Sequence, residues 1–176
     1  MRKPKVIAVV GSKKSGKTTT AEHLIAELTK RGYKVAAVKH VSEPDFTIDT
    51  VGKDTWRFSR AGAKTIVSVA ASEVATIEKF PLKHLSLPIL LERCKGNDFV
   101  LIEGLKEMIG KERNVQKIVV VKEAKEALNA MRTFKPVLAF SGPFSTGQLE
   151  LQVPYADATK NPDKLVDIVE RAFSSN

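Results

Sequence analysis

The residues best suited to chemistry lie near the start of the chain, where Gly11-Ser12-Lys13-Lys14-Ser15-Gly16-Lys17-Thr18 fits the pattern G-x-x-x-x-G-K-[ST]. Two glycines let the backbone curl so that successive N–H groups point at phosphate oxygens, and a helix starting there adds the positive end of its dipole. Lys17 can reach the β- and γ-phosphates, and the Thr18 hydroxyl can join the shell of a Mg²⁺ ion. We call Gly11–Thr18 the phosphate loop. The predicted phosphate-binding residues are Gly11, Ser12, Lys13, Lys14, Ser15, Gly16, Lys17, Thr18 and Thr19.

A carboxylate for the same site is predicted at Glu103, which follows the apolar segment Phe99-Val100-Leu101-Ile102. Ligands bind at the carboxyl ends of parallel strands, so an acid that ends a buried strand faces the phosphate loop. There Glu103 can hold Mg²⁺ through water or orient an attacking water. The alternative is a solvated acid at a strand end.

Three aspartates, Asp45, Asp49 and Asp54, follow the second predicted strand. One of them could join the metal shell or act as a base. A polar loop with a helix cap explains any single one of them equally well. His40, at the end of that strand, is more typical of a hydrogen-bonded structural residue than of a catalyst.

The elements that position these residues alternate between strand and helix. The predicted strands span 5–10, 33–38, 65–70, 74–77, 99–102, 117–121, 136–140 and, less regularly, 149–153. The predicted helices span 18–31, 53–60, 81–94 with a kink at Pro88, 123–131, and a last one opened by Asn161-Pro162. Such alternation favours a three-layer α/β domain with a mostly parallel central sheet flanked by helices.

Length and composition narrow the class of protein. A chain of 176 residues predicts a single domain over 1–176. The net charge is +9, but residues 1–40 carry ten Lys or Arg and two acids, so the positive field belongs mainly to the phosphate-loop region. Without basic–aromatic interleaving, nucleic-acid binding is not favoured. One cysteine, Cys94, excludes an intrachain disulfide, and the apolar runs are too short to span a membrane. We expect a cytoplasmic protein.

Several ordered blocks resemble the molybdopterin-guanine dinucleotide biosynthesis protein B (MobB) family. They are Val9–Thr19, Val38-Lys39-His40, Asp45–Thr50 with Gly52–Arg57, Ala61-Gly62-Ala63, and Leu101–Gly104. The resemblance implies a P-loop NTPase fold that binds GTP with Mg²⁺ and has weak GTPase activity. It also implies assistance in attaching GMP to molybdopterin beside a molybdenum cofactor guanylyltransferase, and a homodimer.

The resemblance also assigns residue roles. It implies Lys17, Glu103 and Asp54 as catalytic residues, and Thr18, Glu103 and Asp49 as metal ligands. There is no N-K-x-D guanine-reading motif, so guanine preference rests on the resemblance. Slow hydrolysis is expected if no residue supplies a further positive charge to the transition state.

Two other functions stay open. A small-molecule kinase on the same scaffold commonly has an arginine-rich lid, whereas Arg113, Arg132 and Arg171 are scattered. A non-hydrolytic chaperone for a phosphorylated cofactor is the second alternative, because the fold alone does not set the chemistry.

Overall fold

The β-branched apolar segments of the sequence form a five-stranded sheet in the computed structural model, which describes residues 3–174. In chain order the elements are β1 Lys5–Gly11, α1 Lys17–Lys30, β2 Val35–Lys39, α2 Asp54–Arg60, β3 Thr65–Val69, β4 Val74–Glu78, α3 Leu87–Glu92, β5 Phe99–Glu103, α4 Lys106–Ile109, β6 Val115–Val120, α5 Ala124–Thr133, β7 Val137–Ser141 and α6 Pro162–Ser174.

The sheet has the strand order β2-β5-β1-β6-β7, and every neighbouring pair is parallel. Because β5 lies between β1 and β2, Glu103 has Val9 as its register partner on one side and Lys39 on the other. The predicted three-layer α/β fold with a parallel central sheet is confirmed. This strand order brings the ends of β1, β2 and β5 to one edge of the sheet.

Both faces of the central strand β1 are buried. Ile7 and Val9 pack in a core with Leu24 and Leu28 of α1 and with the apolar side of α6. The alternating residues of β1, Val6, Ala8 and Val10, are buried on the opposite face. A strand buried on both faces needs apolar residues at successive positions, and this continuous apolar run is the pattern that predicts β1.

By compactness the chain divides into two units. The large unit contains residues 3–40 and 87–174, and the small unit is Val41–Ser86. In the small unit β3 and β4 form a separate two-stranded antiparallel sheet, preceded by α2. The two strands and their turn were predicted and are confirmed. A single domain over 1–176 stays a prediction.

The predicted helix over 81–94 is wrong in its extent. A 3₁₀ turn at Leu82–His84 is followed by extended backbone at Leu85, and α3 begins only at Leu87. Pro88 lies in the first turn of α3, where its missing N–H costs no hydrogen bond. Pro88 therefore starts a short helix and does not kink a long one.

The predicted strand over 149–153 is also wrong. A 3₁₀ turn at Thr146–Gln148 precedes this segment, and contact with the sheet comes later, as a single bridge between Phe140 and Tyr155. Pro154 has no N–H to donate, which limits pairing beside β7. The short helix α4 was not predicted, since four residues are too few to show periodicity. Within residues 3–174, no helix is long and apolar enough to cross a membrane.

Candidate nucleotide-binding site

The phosphate loop connects the end of β1 to the start of α1, as predicted. A Cβ atom at Gly11 would lie 2.4 Å from the backbone oxygen of Val120, so only glycine fits between β1 and β6. Gly16 is the N-cap residue of α1 with φ 95°, and Lys14 also has positive φ, at 58°. Non-glycine residues are uncommon in this region, and they concentrate at ligand-binding sites. The backbone therefore curls as a phosphate-binding loop requires.

Two side chains of the loop are held in ways that suit an anion. Lys17 donates from Nζ to the backbone oxygen of Ser12 at 2.6 Å, so its ammonium is turned back over the loop. The buried Ser15 hydroxyl has no hydrogen-bond partner among residues 3–174. A phosphate oxygen would supply the missing partner, since buried polar groups are normally hydrogen-bonded.

Three other lysines and Glu103 act on the charge of Lys17. Burial lowers the pKa of Lys17, and the positive charges of Lys106, Lys39 and Lys122 lower it further. The attraction of the Glu103 carboxylate acts in the opposite direction and raises this pKa. Cations that depress one another's pKa values are stabilised by a bound anion. The electrostatics of the site thus favour a polyanionic ligand.

Glu103 lies where its sequence position predicted, facing the phosphate loop. The Thr18 hydroxyl is 3.1 and 3.2 Å from the two oxygens of the Glu103 carboxylate. Lys39, the last residue of β2, forms an ion pair with Glu103 and lies 3.4 Å from the Thr18 hydroxyl. The structure thereby brings Thr18 and Glu103 together at one point and adds Lys39 to them.

Hard oxygen donors are what Mg²⁺ requires, and it usually binds through one or two carboxylates plus phosphates and waters. The hydroxyl of Thr18 and the carboxylate of Glu103 fit that donor set. Within the part of the chain that the structure describes, no group of three or more His, Cys, Asp or Glu side chains could hold a metal by itself. One hydroxyl and one carboxylate leave the other positions of a Mg²⁺ shell to nucleotide phosphates and waters.

Two lysines of this site, Lys39 and Lys122, were not predicted. Besides Lys39, Lys122 follows β6 and donates from Nζ to the backbone oxygen of Lys13 in the phosphate loop, at 3.4 Å. Its backbone N–H donates to Glu126 of α5 at 2.7 Å. Lys39 and Lys122 are the first polar residues after apolar strands, the same signal that identified Glu103. The sequence does not show which strand ends are neighbours.

The two aspartates with implied roles belong to the small unit. Asp49 is buried; its Oδ1 accepts a 2.7 Å hydrogen bond from the Thr55 hydroxyl, while its Oδ2 has no partner among residues 3–174. Asp54 is exposed in the first turn of α2, 3.5 Å from Arg57. The metal role of Asp49 and the catalytic role of Asp54 stay predictions.

His40 helps to join the end of β2 to β5. Its backbone N–H donates to the carbonyl of Glu103 at 3.0 Å. A Cβ atom at Gly104 would lie 2.9 Å from the Cβ atom of His40, so the two segments pack closely there. These contacts fix the end of β2 beside β5.

A parallel sheet whose first strand runs through this loop into a helix, with a carboxylate on the neighbouring strand, defines the P-loop NTPase type of fold. The chain belongs to the molybdopterin guanine dinucleotide synthesis protein B (MobB) family, whose model matches residues 6–141. The resemblance drawn from the sequence is confirmed.

Relatives and solved structures agree with this membership. The chain is 39% identical over 120 residues to the putative molybdopterin-guanine dinucleotide biosynthesis adapter protein of Methanocaldococcus jannaschii, covering 68% of this chain and 48% of that protein. It is 35% identical over 104 residues to the corresponding adapter protein of Haemophilus influenzae, covering 58% and 57%. The chain thus spans about half the length of these two curated relatives.

Among solved structures, the crystal structure of a molybdopterin-guanine biosynthesis protein B superposes with a TM-score of 0.72 at 22% identity. The match covers 95% of this chain and 97% of that one. At this identity the likeness establishes the fold alone.

Proposed function

We propose that the chain binds GTP with Mg²⁺ on the phosphate loop and assists the attachment of GMP to molybdopterin. The proposal rests on one observation above all: the Thr18 hydroxyl and the buried Glu103 carboxylate lie within 3.2 Å of each other beside the loop. A glycine-rich turn without a ligand has no need of that pair. The names of the relatives, which are adapter proteins of molybdopterin-guanine dinucleotide biosynthesis, supply the pathway.

In this mechanism the phosphate loop does most of the binding. Its backbone N–H groups and the N-terminal end of α1 face the phosphates, and Lys17 turns from the Ser12 carbonyl toward the β- and γ-phosphates. Thr18 and Glu103 hold the Mg²⁺ ion, which when bound neutralises part of the triphosphate charge. Asp49 as a further metal ligand and Asp54 as the residue that orients water complete the proposed set.

We expect hydrolysis of GTP to be slow. Within residues 3–174, the cations whose charges act on Lys17 are Lys106, Lys39 and Lys122, whereas fast P-loop GTPases place an arginine on the transition state. A partner that brings such a charge could raise turnover by orders of magnitude. The proposed partner is the molybdenum cofactor guanylyltransferase, which performs the transfer itself.

A homodimer is the proposed assembly, and the small unit supports it. Large apolar side chains there are exposed, including Ile48, Val69 and Val74 at 71%, 75% and 66%. Val69 and Val74 are register partners, so two exposed apolar side chains lie side by side there. Exposed apolar patches are typical of interaction sites, and a two-stranded sheet alone is marginally stable. Sedimentation of the wild-type protein and of Val69→Lys tests this: we expect a dimer and a monomer, respectively. A wild-type monomer contradicts it.

The deciding experiment is calorimetric titration with GTP, ATP and molybdopterin, each in the presence of Mg²⁺. We expect GTP to bind more tightly than ATP and molybdopterin to bind separately. The variant Lys17→Ala should lose nucleotide binding, whereas Lys164→Ala, on the exposed side of α6, serves as a matched control and should keep it. Equal or tighter ATP binding without pterin binding would refute the proposed pathway and favour a kinase.

The cytoplasm is the proposed location. Cys94 is buried, and its burial raises the pKa of the thiol, which suits an unreactive cysteine in a reducing compartment. Fractionation of cells that express the full chain tests this location, and recovery from a membrane or secreted fraction contradicts it.

A further inference from the structure

We propose that Lys39 is a ligand of the terminal phosphate of the bound nucleoside triphosphate, and that it leaves Glu103 and Thr18 to reach that phosphate. This inference rests on the proposed function, because it needs a nucleotide on the phosphate loop. It assigns a specific role to Lys39, for which the sequence indicates only a position at the end of a strand.

The position of Lys39 is fixed by the sheet. Lys39 and Glu103 are register partners in the parallel pair of β2 and β5, and the backbone of His40 continues the pairing to the carbonyl of Glu103 at 3.0 Å. The Cα atom of Lys39 is thus held beside Glu103. Only its flexible four-carbon side chain is free to redirect the ammonium group.

The ammonium group of Lys39 contacts both proposed metal donors. It pairs with Glu103 and lies 3.4 Å from the hydroxyl of Thr18. Two cations at the same two oxygens would repel each other strongly at that distance. For Thr18 and Glu103 to serve Mg²⁺, Lys39 must therefore give up these contacts.

The burial of Glu103 explains why a lysine, Lys39, lies beside it. The residue is only 7% exposed, and a buried carboxylate is costly without a counterion. Lys39 supplies that charge, while its own side chain remains 54% exposed and has room to move. A second cation at Glu103 makes the lysine dispensable there.

The proposed function supplies a new partner for Lys39, the terminal phosphate of the bound nucleotide. The ammonium group of Lys39 lies 3.4 Å from the hydroxyl of Thr18, the residue after Lys17, and its charge is one of those that act on Lys17. In the proposed function, the anion that binds beside Lys17 and Thr18 is the terminal phosphate. A lysine that binds this phosphate equally in ground and transition states adds affinity without adding turnover, which agrees with slow hydrolysis.

The test compares triphosphate and diphosphate binding. GTP and GDP are titrated in Mg²⁺ buffer into the wild-type protein and Lys39→Gln, which removes the charge but keeps a donor for Glu103. Loss of a charged contact predicts that GTP binds about 10- to 100-fold more weakly to this variant, with GDP changed by less than about threefold. Lys39→Arg should recover most of the GTP affinity, since a guanidinium also binds phosphate. Lys34→Gln is the matched control: this exposed lysine just before β2 should leave both affinities unchanged.

The outcomes separate this inference from the proposed function. If Lys39→Gln weakens GTP binding and GDP binding equally, or leaves both unchanged, Lys39 does not bind the terminal phosphate and the inference is wrong. Nucleotide binding to the phosphate loop stands in either case. If the wild-type protein binds neither nucleotide, the proposed function fails and the inference fails with it. Thermal unfolding of each variant confirms that the compared proteins are folded.

Discussion

The close contact at Gly11 leads to the sharpest prediction, for the variant Gly11→Ala. The added Cβ atom would lie 2.4 Å from the Val120 carbonyl oxygen and 2.8 Å from the Ser15 hydroxyl, whereas ordinary contacts begin at 3.4 Å. The Val120 oxygen belongs to the backbone of β6 and cannot rotate away as a side chain can. The end of β1 and β6 must therefore separate by about 1 Å, a displacement at the start of the phosphate loop.

The size of the effect follows from that displacement. Overpacking of a filled site costs about 1–3 kcal/mol, so we expect Gly11→Ala to lose about 2 kcal/mol of unfolding free energy. Restoring the loop for binding costs a similar amount, which corresponds to a rise of about 30-fold in the nucleotide Kd. Urea denaturation and calorimetric titration with GTP measure the two quantities separately.

A matched control distinguishes this clash from a general effect of replacing glycine. Gly32, after α1, has φ 88°, but a Cβ atom there has no neighbour within 4 Å. Gly32→Ala should cost about 1–2 kcal/mol of stability through backbone strain and leave the nucleotide Kd unchanged. If Gly11→Ala binds GTP as tightly as the wild-type protein, then the contact with β6 does not set the loop geometry, and our reasoning is refuted.

Three further predictions concern charged groups. Burial lowers the pKa of the fully buried Lys117 to about 8, so between pH 8 and 10.5 the unfolded chain binds more protons than the folded one, and this makes stability rise with pH. Lys117→Met should flatten that rise in urea denaturation measured across this pH range. Glu103→Gln should raise the Mg²⁺ concentration for half-maximal GTP binding about 10-fold, and an unchanged Mg²⁺ requirement in a fluorescence titration excludes Glu103 as a metal ligand. Arg31→Met should lower the unfolding free energy by about 1–2 kcal/mol in the same denaturation assay, because this half-buried guanidinium joins α1 to α6. The neighbouring Lys30→Met removes only an exposed ion pair and should lower the unfolding free energy by less than about 0.5 kcal/mol.

Local patterns sufficed for much of the fold. The uninterrupted apolar run of β1 and the amphipathic spacing of α1 were read correctly, because both faces of a central strand and one side of a helix must be buried. The errors came where local signals are weak. The segment over 81–94 contains apolar residues at helical spacing, yet Pro88 can begin a helix as well as interrupt one.

Glu103 shows what the sequence could and could not provide for the site. Its place after an apolar strand identified it as a candidate, and its distance of about 3 Å from Thr18 supports that choice. Lys39 and Lys122 carry the same local signal, a polar residue after an apolar strand, and were given no role. No periodicity distinguishes a strand end beside β1 from one at the edge of the sheet.

The sequence by itself determined the phosphate loop, the parallel α/β fold and the family. Each is visible in short segments of the chain: a turn that needs glycine, strands that need β-branched residues, and a spacing of apolar residues that fits a helix. Tertiary structure decided what surrounds the loop. The order β2-β5-β1 places Lys39, Glu103 and Thr18 together although 64 and 85 residues separate Glu103 from the other two. Strand order is a choice among long-range pairings, which local propensity does not encode.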